Sequence, residues 1–178
     1  MSTLVLNWNT PASLYEPTAN ADKSDRTLRD VLNGFRQSVH EAASSAQSLA
    51  LTSLFQLIQE CSRPGWDGHS ARVLSERTVL RAKAFLDALP ASLRSPDIVP
   101  EPDGEIAIDW YFGPNQQLSI SVGESGPLHF AGVIGEAYGQ PRVRHGKEPF
   151  EGVVSGDLLR YIHELHELAG VTDRRRAA

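Results

Sequence analysis

From Ser24 or Asp25 the apolar positions Leu28, Leu32, Phe35, Val39, Ala42, Ala46, Leu49 and Ser53 recur in alternating steps of four and three. That is the spacing of a coiled-coil seam, and the small residues at its centre would let a partner helix approach closely. Ser24 and Asp25 are both good N-caps. The stripe then rotates to Leu54, Leu57, Ile58 and Cys61. Read as one helix, residues 25–61 would be about 55 Å long at ~1.5 Å per residue. That exceeds a domain of this size, so the pattern predicts either a break, at Gly34 or Ser44-Ser45, or a helix that protrudes and pairs with another chain. Before it, Leu4, Leu6 and Trp8 alternate and then give way to Pro11, Pro17 and small polar residues. This predicts a short arm whose Trp8 packs on something.

A turn-rich loop, Ser62-Arg63-Pro64-Gly65-Trp66-Asp67-Gly68-His69-Ser70, precedes a second helix. Ser75 is its N-cap, Leu74 can staple against Val79, and Val79, Ala82, Phe85, Leu86 and Leu89 make its apolar face before Pro90 ends it. The period then changes from helical to two. Ile98 and Val99, followed by Pro100 and Pro102, predict a short edge strand leading into an Asp103-Gly104 turn. Ile106, Ile108 and Trp110 alternate with Ala107, Asp109 and Tyr111. Leu118, Ile120 and Val122 alternate with Ser119 and Ser121. Leu128, Phe130 and Ile134 alternate with His129, Ala131 and Val133. A fourth strand is expected over residues 138–144. Ser155 caps a last helix with Leu158, Ile162, Leu165 and Ala169 on one face, and Gly170 stands where a C-cap glycine belongs. Helices, then an antiparallel meander of three to four strands covered on one face by helices, then a C-terminal helix make an α+β fold. The expected division is an arm over 1–23, a helical association segment over 24–62, a core domain over 63–170 and a basic, disordered tail over 171–178.

Composition narrows the function classes. The 178 residues carry 22 acidic against 17 basic side chains, a net charge of −5. No general nucleic-acid coat is expected from such a balance. Cys61 is the only cysteine, which excludes an intramolecular disulfide and any multi-cysteine metal site. The start of the chain has no basic n-region, and the most apolar stretch, 49–58, is far short of a membrane span of about 20 residues. A cytoplasmic location is the expectation.

Gly65-Trp66-Asp67-Gly68, a helix ending in Phe85-Leu86 and Leu89-Pro90, then Pro102-Asp103-Gly104-Glu105-Ile106 and Asp109-Trp110 are found in this order. This half of the chain, with Gly146-Lys147-Glu148-Pro149-Phe150, resembles a group of small bacterial proteins marked by a GWDG loop, a helix and a DG-x-I-x-x-x-W hairpin. The resemblance implies a shared fold core and brings no catalytic residues with it.

If Ile108, Ile120 and Phe130 share the core face, Asp109 must lie near Ser119, and Ser121 near His129, on the opposite face with Tyr111. Asp109, Ser121 and His129 contain the ingredients of nucleophilic catalysis. A flat sheet face, however, supplies no nucleophile elbow and no pair of amides for an oxyanion. Asp67 and His69 stand one residue apart, a spacing compatible with a divalent metal, but two ligands are fewer than a catalytic site needs. The glycines flanking Trp66-Asp67 suit a tight loop closed by Asp67 and anchored by Trp66. His163-Glu164-Leu165-His166-Glu167 lacks the metalloprotease spacing. Arg142, Arg144, His145 and Lys147 form a basic cluster without an aromatic platform.

What remains is surface. The expected function is non-enzymatic: a protein–protein interaction module, with no cofactor and no bound metal, that self-associates, as a dimer, and holds another protein. A two-gene setting such as an antitoxin or defence-system accessory would suit it. Its binding residues are expected at Trp8, at Leu28, Leu32, Phe35, Val39, Ala42, Ala46 and Leu49, and at Trp66 and Asp67. The alternative is a small metal-dependent hydrolase or nuclease using Asp67, His69, Asp109 and His129.

Overall fold

A computed structural model describes residues 46–135 and 140–176, with side chains to Gly170. Trp8, Leu28, Leu32, Phe35, Val39 and Ala42 lie outside the described residues. The elements run α1 (Ala46–Glu60), α2 (Glu76–Asp87), β1 (Asp97–Pro100), β2 (Ile106–Gly113), β3 (Gln116–Val122), β4 (Leu128–Ile134), β5 (Arg142–Glu148) and α3 (Gly156–Arg176). The five strands form one sheet in chain order, with every neighbouring pair antiparallel. The α+β class is therefore as expected, with five strands in place of three to four.

The period-two residues build the core face. Ile106, Ile108, Trp110, Leu118, Ile120, Val122, Leu128, Phe130 and Ile134 are buried in a single cluster with residues from all three helices. Helix α2 starts as its sequence dictates, with the Ser75 hydroxyl accepting from Thr78 N at 3.1 Å. At the start of α3 the Ser155 hydroxyl accepts from Leu158 N at 3.2 Å. These contacts satisfy amides that a helix start leaves without partners.

Four expectations on the elements are corrected. The last strand begins at Arg142 and reaches Glu148. It is almost wholly exposed, so no apolar alternation announces it. On its helix-facing side Arg142 pairs with Glu164, and the Arg144 guanidinium lies over the Tyr161 ring at 5.2 Å. Gly170 does not cap α3, which continues to Arg176. The roughly 1 kcal/mol that an internal glycine costs a helix is outweighed by the burial of Ile162, Leu165 and Ala169 just before it. The division at residue 62 is not a division of the core, because Ala50, Leu51, Leu54, Leu57, Ile58 and Cys61 belong to the same cluster as the sheet. Lastly, residues 171–176 are helical and not an unstructured tail.

Two glycines make room for aromatic rings on the core face. A Cβ on Gly146 would stand 2.9 Å from the Phe130 ring, and one on Gly132 would stand 2.8 Å from the Tyr161 hydroxyl. Rings laid over strand glycines restore the packing that the missing side chains give up.

Candidate functional site

The register places the polar alternates of β2–β5 on the face opposite the helices. Asp109 pairs with Ser119, Ser119 with Ala131 and Ala131 with His145. One row along, Ala107 pairs with Ser121, Ser121 with His129 and His129 with Lys147. Asp97 and Val99 of β1 extend these rows, opposite Asp109 and Ala107. A third row holds Tyr111, Gln117, Val133 and Val143. The grouping of Asp109, Ser119, Ser121, His129 and Tyr111 on one surface is thus as the alternation requires.

The chemistry of that surface differs from a hydrolytic triad. Asp109 and His129 stand two strands and one alternation apart, roughly 12 Å on ~4.8 Å strand spacing and ~3.4 Å rise. A triad needs its acid within hydrogen-bond reach of the imidazole. Ser121 instead bonds the carboxylate of Glu101, and burial, ahead of the nearby Asp103, Glu105 and Asp109, pushes that carboxyl above its ordinary value. The serine hydroxyl is therefore held by a carboxylate, and among the described residues no acid-oriented imidazole stands ready to take its proton as in a triad. Glu101 carries no signal in the sequence, because Pro100 and Pro102 on either side hide that it continues the alternation of Asp97 and Val99. One oxygen of Asp109 is buried without a partner.

A shallow depression of about 530 Å³ opens over Ser119, Ser121, His129, Ala131, His145 and Lys147. Its floor is made of small side chains. Acidic residues (Asp97, Glu101, Asp109) gather on the β1–β2 side, and His129, His145 and Lys147 on the β4–β5 side. The pleat splits the expected basic cluster, since Arg142 and Arg144 turn to α3 and only His145 and Lys147 reach the open face.

The Gly65-Trp66-Asp67-Gly68 loop is a structural clasp. Asp67 Oδ1 accepts from His69 N at 2.8 Å and Ala71 N at 3.2 Å. These bonds, the His69 amide foremost, hold its carboxyl below the ordinary carboxylate range. Trp66 is half-buried against the core and donates its indole N–H to Arg72 O at 3.0 Å. Arg72 N in turn donates to Pro102 O at 2.8 Å, which ties the loop to the Asp103-Gly104 turn. The two motifs of the resemblance are therefore joined in space. Among the described residues, no three His, Cys, Asp or Glu side chains form a metal-ligating group. Cys61 is buried, which pushes its thiol up.

Of the expected seam, Ala46 borders a crevice with Leu86 and Leu89 of its own chain, while Leu49 is 64% exposed. The seam thus diverges from the core-facing side of α1 at Leu49.

His166 supplies a pH-sensitive point on the helix-facing side. Its ring meets Trp110 and Phe112 edge-on, at 5.9 and 5.0 Å between centroids, and its Nδ1–H donates to Ile162 O at 2.8 Å. Burial lowers its pKa below the ordinary 6.5. The unfolded chain then takes up a proton that the folded chain refuses, so stability is full above the unfolded value and is lost as pH falls through the folded one. His166→Phe keeps the ring contacts and is expected to flatten the loss of stability between about pH 7 and pH 5. Urea denaturation across that range checks this, and an unchanged slope would contradict it.

No helix among the described residues is long and apolar enough to cross a membrane. Comparison of the chain with protein-family models, curated proteins and solved structures gives no match.

Proposed function

We propose that this chain is a non-enzymatic protein–protein interaction module that self-associates. One observation carries the reading: helices cover one face of the sheet, while the other presents a broad surface with apolar side chains left outward. Tyr111, Val143 and Val99 are 64%, 72% and 42% exposed on that face, and Leu49 is exposed on the outer side of α1. Apolar side chains left on an uncovered sheet face suit docking more than turnover. The separation of Asp109 from His129, and the engagement of Ser121 by Glu101 and of Asp67 by its own loop, weigh toward this reading and against a hydrolase using Asp67, His69, Asp109 and His129. In the sequence, the spacing of Leu28, Leu32, Phe35, Val39 and Ala42, continued by Leu49, matches a seam that would pair with a second copy.

Light scattering on the full chain tests this. The mass is expected to be a multiple of 19.5 kDa and to fall when Leu32 and Leu49 are both replaced by Lys. A chain that stays at the monomer mass at high concentration would overturn the proposal.

A further inference from the structure

The open face of the sheet is lopsided in charge and in side-chain size, and the lopsidedness is of a particular kind. Across the row through Asp97 it runs acid, acid, serine, alanine, histidine: Asp97, Asp109, Ser119, Ala131, His145. The next row runs Val99, Ala107, Ser121, His129, Lys147. Reflected about β3, Asp97 exchanges with His145, Asp109 with the small Ala131, the small Ala107 with His129, and Val99 with Lys147.

We infer that this face binds the same face of a second copy of the chain, around a twofold axis lying along β3. The inference deepens the reading of the protein as an interaction module and rests on it. A twofold axis parallel to the strands carries β1 of one copy over β5 of the other, whereas an axis across the strands would lay β1 on β1 and acid on acid. With the axis along β3, Asp97 meets His145 of the second copy, and Asp109 fits over the small Ala131. His129 fits over Ala107, Tyr111 meets Val133, and Lys147 comes beside Val99 and Glu101. Ser119, Ser121 and Gln117, lying near the axis, meet their own copies. Every contact occurs twice, as a closed isologous interface requires.

The twist of each sheet turns the two strand directions by about 30°, which displaces the outermost contacts and leaves those near β3 in place. The size is sufficient. Five strands at ~4.8 Å spacing and about seven residues at ~3.4 Å rise give roughly 550 Å² per copy. The pair thus buries about 1,100 Å², just above the ~1,000 Å² of a specific interface.

The test is sedimentation equilibrium of the full chain from low to high micromolar concentration, with folding of each variant checked by circular dichroism. Asp97 and His145 are both exposed on edge strands, so their replacement spares the core. Asp97→Lys sets a cation against His145 of the second copy and is expected to weaken association about tenfold. Adding His145→Glu is expected to restore it, because the pair is then re-formed with its signs exchanged. Ala131→Arg, at an exposed position in the middle of the face, is expected to abolish contact through the sheet.

If the wild-type chain associates but none of these variants changes its mass, while Leu32→Lys with Leu49→Lys does, the sheet-face inference is overturned and the interaction-module reading stands. If the wild-type chain is a monomer throughout, both are overturned.

Discussion

Phe85→Ala is expected to cost about 3–5 kcal/mol of folding free energy, a large share of the ~5–15 kcal/mol that holds a typical domain together. Phe85 is fully buried on α2, between that helix and the sheet. Its ring meets Phe150 edge-on, with centroids 5.9 Å apart and planes at 68°. Truncation removes the transfer free energy of the ring and leaves a cavity that helix and sheet, both held by hydrogen-bond ladders, cannot close. Phe85→Leu keeps most of the volume and is expected to cost about 1–1.5 kcal/mol. A cycle with Phe150→Ala should show about 0.5–1.5 kcal/mol of coupling, the worth of an aromatic pair beyond its burial. Urea unfolding measures all three, and a loss below that of the leucine variant would contradict the packing described. The same contact explains why two distant parts of the chain, the end of α2 and the Pro149-Phe150 segment, belong to one core.

The second large effect is expected at Gly65, and Gly68 serves as its control. Both have positive φ, +68° and +80°, a conformation that costs an ordinary residue about 1–2 kcal/mol. At Gly65 a Cβ would also stand 2.9 Å from His69 O. That oxygen is backbone, in a loop pinned by Gly65 N to Ala71 O at 2.8 Å and Gly68 N to Gly65 O at 2.9 Å, so it cannot move aside freely. At Gly68 nothing lies within 4 Å. Gly65→Ala is therefore expected to cost about 2–4 kcal/mol, adding overpacking to strain, and Gly68→Ala about 1–2 kcal/mol from strain alone. Because the loop is bonded to the Asp103-Gly104 turn, Gly65→Ala should also speed hydrogen exchange at the Arg72 amide, whereas Gly68→Ala should not. Equal costs at the two glycines would mean that the loop absorbs the extra Cβ.

The candidate surface was legible where a strand alternates. Once Ile108, Ile120 and Phe130 are assigned to the core, the pairing of Asp109 with Ser119 and of Ser121 with His129 follows without further choice, because a slip of one residue would turn every side chain over. Glu101 was not legible, since Pro100 and Pro102 read as a break although the strand direction persists through them. Strand β5 lies later in the chain than the expected 138–144 for a related reason. Its inward residues Arg142 and Arg144 meet Glu164 and Tyr161 instead of aliphatic neighbours, so it carries no apolar alternation.

Local patterns in the chain determined the class of fold, the starts of α2 and α3, the turn at Asp67 and the inner and outer sides of the three central strands. Each depends on residues within a few positions of one another, through capping bonds, turn closure or the two-residue strand repeat. The tertiary structure alone decided that α1 from Ala50 onward belongs to the core, that α3 runs through Gly170, that Arg142 and Arg144 part from His145 and Lys147, and that acids and bases collect on opposite halves of the open sheet face. Those outcomes depend on which distant segments lie side by side. A helix is extended or a charge steered by the surface it meets, and that surface is made by residues far away in the chain.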